Sequence, residues 1–347
     1  MSRNALVQFV FFLIGLAALA VPARAFTLSP NGNARVIVVQ DTNAVSDFQP
    51  NYIVVDNMVR RGILSFTGQK TVADAWRSLV STQDVVGIKV FSAAGELGGT
   101  RPAVTAAVVN GLVAAGVPRH NIIIWDKSAV DLRSAGYFNL ASLLNVRAEG
   151  AIETGYEPTN FYLPDDAIVG QLVYGDYEFG KKGDGIGRKS FVTKILTRQV
   201  TKIISIAPLL NQPIAGVCGH LYSLAFGSVD NTLRFENDPE NLAVAVPEIN
   251  AMASVGDRVV LNITDALMGQ YEGDSTVLLH YSTVLDQLWF SGDPVALDTM
   301  AIRELARERQ AQNDVGYNPD LEIYTNAVLL QLGVNDPSKI KVVRAKE

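Results

Sequence analysis

The chain has 347 residues, 48% hydrophobic and 18% charged, with a formal net charge of −6. That supplies apolar material for one large core or two small ones, and the lack of a Lys/Arg-rich block argues against nucleic acid as a partner. Cys218 is the single cysteine, which excludes an internal disulfide and a cysteine-ligated iron–sulfur cluster.

Arg3 precedes an apolar run from Phe9 to Val21, of signal-peptide length and short for a membrane span. Pro22 and Ala23-Arg24-Ala25 then form a small-residue cleavage site. Residues 1–25 are therefore expected to be a signal peptide, with a mature start at Phe26 and export to the periplasm or outside. The competing reading is an uncleaved anchor. Without Arg3 and Arg24 the charge becomes −8. Residues 26–347 are expected to form a single α/β domain, a mainly parallel sheet flanked by helices, with no membrane span.

Ala34 to Gln40 is a first strand, β-branched from Val36 to Val39. Tyr52 to Leu64 and Val72 to Val80 have helical patterns, with a turn at Gly68. Val85 to Phe91 is a buried strand interrupted by Lys89, which shares a face with Val85 and Phe91. A lysine there either snorkels from the strand end or is a buried ammonium paired with a carboxylate. After a glycine-rich stretch, Gly95 to Thr100, a helix runs from Pro102 to Ala115, and a strand from Asn121 to Asp126. The three form one right-handed βαβ unit. Ligands of such sheets gather at the carboxyl ends of strands, where Asp126 sits. Ser128 to Ala135 starts another helix.

Residues 151–192 are rich in glycine and aromatic residues and read as a β-rich excursion, with strands near Ile168 to Tyr174 and Lys189 to Val192. Its loop Gly183 to Ser190 resembles a phosphate cradle, but Arg188 stands where glycine is required, so a hairpin turn is the better reading. Thr193 to Thr201 reads as helix and Lys202 to Ala207 as a core strand ending at Pro208. Ala215 to Phe226 is small and apolar and carries His220, either a satisfied core histidine or a site residue. His120, His220 and His280 form no local zinc motif. Asp238-Pro239 caps a helix to Ala253. Arg258 to Thr264 is a strand ending in Asp265. Asn262-Ile263-Thr264 matches a glycosylation site only formally, since the strand is buried. Thr283 to Phe290 leads into a helix opened by Asp293-Pro294 as N-cap and N1. Its apolar stripe, Val295, Ile302 and Leu305, contains Asp298, a carboxylate where an alkyl group belongs. Leu321 to Leu332 is a helix stopped by Gly333, and Ile340 to Val343 a closing strand.

Several blocks come in a familiar order: Gly87-Ile88-Lys89-Val90, the Thr-Arg-Pro start at Thr100, Ile-Ile-Trp-Asp ending at Asp126, Gly136-Tyr137, Thr264 to Gly269, and Ser291 to Asp298. Together, over about Val85 to Gly333, they resemble the bacterial and archaeal family called domain of unknown function 362. The resemblance implies an α/β domain but no settled chemistry. Some relatives carry ferredoxin-type cysteine clusters, which this chain lacks. The family often has a Lys and a His where this chain reads Leu210-Asn211-Gln212-Pro213.

The functional expectation is an exported enzyme with a carboxylate-rich cleft acting on a small anionic substrate. Asp126, Asp265 and Asp298 would converge there and could hold a hard divalent cation, Mg²⁺ or Ca²⁺. Lys89 would neutralise them, pairing most simply with Asp298, and His220 would join the catalytic set. Gly98, Gly99 and Thr100, at a helix start, would bind the anionic group, with Asn211 beside it. The alternatives are an extracytoplasmic small-molecule binding protein, or a structural or assembly factor.

Overall fold

Apolar runs, continuous in the central strands, build most of the eight strands of a main sheet, numbered in chain order: β1 Ala34–Gln40, β2 Val86–Lys89, β3 Ile122–Asp126, β4 Arg147–Gly150, β5 Lys202–Leu210, β6 Val259–Gln270, β7 Ser282–Ser291 and β8 Ile340–Arg344. They lie in the order β8-β1-β7-β6-β5-β2-β3-β4. Only β7 runs against its neighbours; the other pairings are parallel. The fold is thus α/β with a mainly parallel sheet, as the alternation of strands and helices implies. The computed structural model describes residues 32–165, 168–181, 183, 185–312 and 321–345. The expected signal segment lies outside these residues, as does residue 184 of the glycine loop. No helix among the described residues is long and apolar enough to cross a membrane.

β2, β3 and β4 are laid outward in sequence, and the chain then returns to place β5 on the other side of β2. The strand order therefore reverses between β2 and β5. The sheet divides two cores by the strict alternation of side chains. Ile88, Ile124, Ile206 and Ile263 face one side, packed with α1 (Tyr52–Thr67) and α2 (Pro102–Ala114). Trp125 and Ile203 face the other, packed with α3 (His220–Ser228), α4 (Pro239–Ala251), α5 (Pro294–Ala311) and α6 (Glu322–Leu329). Close approach requires glycine on the first side: a Cβ on Gly111 of α2 would lie 2.1 Å from the Trp76 indole nitrogen.

Three boundaries differ from the sequence reading. β5 does not stop at Pro208 but continues to Leu210. Its neighbour β2 ends at Lys89, level with Ser205, so no ladder bond is demanded from residue 208 on that edge and proline is tolerated. β6 likewise runs past Asp265 to Gln270, with a register irregularity against β7 between Ala266 and Met268. The segment expected as a helix from Thr193 forms a single π-type turn, Ile195–Gln199. The excursion is β-rich, with two small antiparallel sheets, Tyr156–Tyr162 on Ser190–Thr193 and Gly170–Gln171 on Ile186–Gly187. It is fastened to the domain by Arg234, which donates to Ser190 Oγ and to the carbonyls of Ile168 and Tyr162.

Candidate functional site

Lys89 lies at the end of β2, fully buried, level with Trp125 of β3 and Ser205 of β5. Its side chain runs along α3, where Gly227 leaves room for it: a Cβ on Gly227 would sit 2.1 Å from Lys89 Cε. All three ammonium protons are used. Nζ stands 2.8 Å from Asp126 Oδ1, donates to the Val90 carbonyl at 2.7 Å, and donates to Ser223 Oγ at 2.9 Å. Burial lowers the Lys89 pKa and the Asp126 carboxylate opposes that shift. Asp126 Oδ2 accepts from both the backbone N–H and the hydroxyl of Ser92, each at 2.7 Å.

Asp126 and Ser223 open onto a cleft of about 460 Å³ whose wall also includes Lys127, Asp131, Gln212 and Glu236. The cleft lies beyond the carboxyl ends of β2, β3 and β5, at the reversal of strand order, where open α/β sheets place their ligands. Its charge is mainly negative. Asp126, Asp131, Glu236 and Asp274 face it, while Lys127 donates its ammonium to the Val229 carbonyl. Burial raises the pKa of Asp131, helped by the negative charge of Asp126 and Glu153, and burial also raises that of Glu236. Ser223 accepts from Lys89, and its own proton has no acceptor among the described residues.

The other expected site residues lie elsewhere, each with its own partner. Asp265 forms an ion pair with Arg101 at 3.0 Å and accepts the Arg101 backbone N–H at 2.8 Å. It thereby fills the start of α2 with the protein's own anion. The amides assigned to an anionic substrate are also engaged. Gly99 N–H donates to Gly95 O and Thr100 N–H to Phe91 O, and the Thr100 hydroxyl donates to Ile206 O at 2.7 Å. Gly98 is buried, and a Cβ there would touch Val277 at 3.1 Å. Asn211 donates to Gly273 O and accepts from Arg309.

Asp298 does not pair with Lys89. It caps α3 from a distance, accepting His220 N–H at 2.7 Å and Leu221 N–H at 3.0 Å. Burial pushes its pKa up to about 7, although the two backbone donors act in the opposite direction. His220 lies beneath the same helix end, with Nδ1 2.9 Å from Ser205 Oγ and Nε2 3.1 Å from Thr264 Oγ1. Burial pushes its pKa down to about 3, with the Lys89 charge contributing. It is a satisfied core histidine held neutral.

The three carboxylates therefore do not converge as a metal set. The donors that would turn to a cation are committed to Lys89, Arg101 and backbone amides, and no metal-holding group of three His, Cys, Asp or Glu occurs among the described residues. Of the expected residues, Lys89 and Asp126 come together. Ser92, Ser223, Lys127, Asp131 and Glu236 were missed. Ser223 had one legible signal, its place four residues before Gly227 on a helix face made of small residues.

No family model matches the chain, and no curated protein does. One solved structure similar to it is that of a Thermotoga maritima protein from a structural genomics programme, at 10% identity and a TM-score of 0.38, covering 77% of this chain. The match spans 60% of that protein's length.

Proposed function

We propose that the protein is an exported α/β enzyme, of the domain-of-unknown-function-362 kind, that takes a small amine-bearing molecule into the cleft between β2 and β5. One observation carries this reading: a buried Lys89–Asp126 pair, bonded to Ser223, opens on an acidic cleft at the reversal of strand order. A carboxylate offers about four acceptor positions. Asp126 uses three of them on Lys89 and Ser92, which leaves one for a ligand cation. A positive head group also relieves the crowding of Asp126, Asp131 and Glu236, whereas an anionic one adds to it.

Ser223 passes its uncommitted proton to a basic atom of the bound molecule away from the cationic head, and the hydrogen bond from Lys89 steadies the oxyanion left on Oγ. A proton lost from another position of the molecule returns to Oγ, so the net change is a proton shift within the substrate. Proton transfer at the bound molecule is the chemistry this arrangement supports. The competing reading is a binding protein, favoured by the full satisfaction of the Lys89 ammonium by Asp126, the Val90 carbonyl and Ser223.

The test is a thermal-shift screen of small amines against matched carboxylates, on wild type, Asp126→Asn and Ser223→Ala. NMR of each stabilising compound then looks for conversion. Amines that stabilise wild type, fail with Asp126→Asn, and are converted by wild type but not by Ser223→Ala support the enzyme. Retention of unchanged amines supports the binder. Stabilisation by carboxylates alone overturns the reading of the cleft.

A further inference from the structure

Helix α3 has a second cavity on its other flank. Tyr222, Ser223 and Gly227 face the acidic cleft, while Leu221 and Leu224 face a separate cavity of about 200 Å³ near the amino end of β6. That is below the usual range of roughly 300–1,000 Å³ for ligand pockets, so its occupant is small. The walls are mixed: Val259, Pro294 and Leu332 add apolar surface, and Asp257 and His220 add polar groups.

Two buried asparagines belong to the polar part of that lining. Asn250 and Asn262 are 4% and 1% exposed. Both donate from Nδ2, Asn250 to Leu221 O and Val246 O, Asn262 to Gly292 O. The side-chain oxygen of neither accepts a hydrogen bond among the described residues. Neither oxygen is among the described polar atoms that are buried from solvent without a partner, so each opens on the cavity and takes its hydrogen bonds from what the cavity holds. Both residues line the cavity, so its contents are what remain to satisfy them.

The rim carries an independent mark. Gln331 holds a left-handed backbone, φ 59°, just after α6, a position that usually takes glycine. Here a side chain is kept, and it lines the mouth beside Leu330 and Leu332. Strain retained at a cavity mouth is a recurring sign of a ligand clamp.

We propose that this cavity is a second binding site, distinct from the cleft, for a small neutral molecule with an apolar body and an NH₂ head. The head donates its two protons to the asparagine oxygens, the body lies on the leucines, and Gln331 closes the entrance.

The probe is hexanamide, with methyl hexanoate as the partner of similar length that has no N–H donor. Calorimetry on the wild-type protein should give saturable one-to-one binding of hexanamide at millimolar concentration. The ester should bind about tenfold more weakly, the equivalent of one or two hydrogen bonds. Leu224→Trp fills the cavity and should abolish binding. If that variant loses cooperative unfolding, Leu332→Trp at the rim makes the same test. Ser223→Ala, on the opposite flank of α3, should leave hexanamide binding unchanged. Gln331→Gly should raise Tm and weaken binding together. Equal affinity for amide and ester, binding that survives the filled cavity, or no saturable binding to wild type would each overturn the proposal.

Discussion

The two faces of the sheet are built from the same strands and solve different problems. Toward α1 and α2 the strands present Ile88, Ile124, Ile206 and Ile263, and the packing there is apolar. Toward α3 and α5 the neighbouring positions are Lys89, Ser205, Asn262 and Thr264, a polar row under an otherwise apolar layer. The apolar face holds by shape, and errors in it can be repaired by a compensating change of volume. The polar row holds by partner satisfaction, where removing a group strands another.

The largest expected effect breaks the polar side. Lys89→Met leaves Asp126 buried beside an alkyl chain and should destabilise by about 3–5 kcal/mol. Asp126→Leu should cost a similar amount. The double variant should cost clearly less than the sum, since it strands no charge. Urea denaturation of the two singles and the double checks this, and additive losses would remove the pair from the account.

A smaller pair of effects sets the two faces side by side. Gly111→Ala drives a methyl group into Trp76, and Gly227→Ala drives one into Lys89. Each should cost about 1–3 kcal/mol by overpacking. Adding Trp76→Phe should recover part of the first loss. Adding Lys89→Met should recover none of the second, because Asp126 is then unpaired. Equal rescue on both faces, read from unfolding midpoints, would erase the distinction.

The smallest effects are in pH dependence and have opposite signs. The His220 pKa falls from 6.5 unfolded to about 3 folded. Its contribution to stability is full above pH 6.5 and is lost as pH drops toward 3. Asp298 rises from 3.8 to about 7, so its contribution is full below 3.8 and is lost as pH climbs through 7. Between pH 5 and 6 the two oppose. Stability curves at these pH values should therefore tilt in opposite directions for His220→Gln and Asp298→Asn, each by up to about 1.4 kcal/mol per pH unit. A common tilt would contradict the assigned charge states.

The strands were largely readable from their apolar runs, and so was the anomaly of Lys89. Its partner was not, because partner choice depends on strand order. Lys89 and Asp126 end consecutive parallel strands, which places them side by side once β2 and β3 are neighbours. Asp298 was readable as a carboxylate in an apolar stripe, but its partners are backbone amides of a helix 78 residues earlier in the chain, and amides carry no sequence signature. The end of β6 was misread at Asp265 for a related reason. An acid in an apolar strand suggests a terminus, yet here Arg101 meets it inside the sheet.

The place of β1 has a consequence for the order in which the molecule is assembled. β1 sits between β8 and β7, and Ser291 of β7 reaches across 256 residues to bond Arg35. The strand pairing of the β2-α2-β3 unit lies within residues 86–126 and closes without the rest of the sheet. The half of the sheet around β1 must wait for most of the chain, and contacts of such long separation slow folding. Pulsed hydrogen exchange during refolding should protect Ile123 well before Ile37. Under the proposed export, that delay would keep the polypeptide open for passage through a membrane.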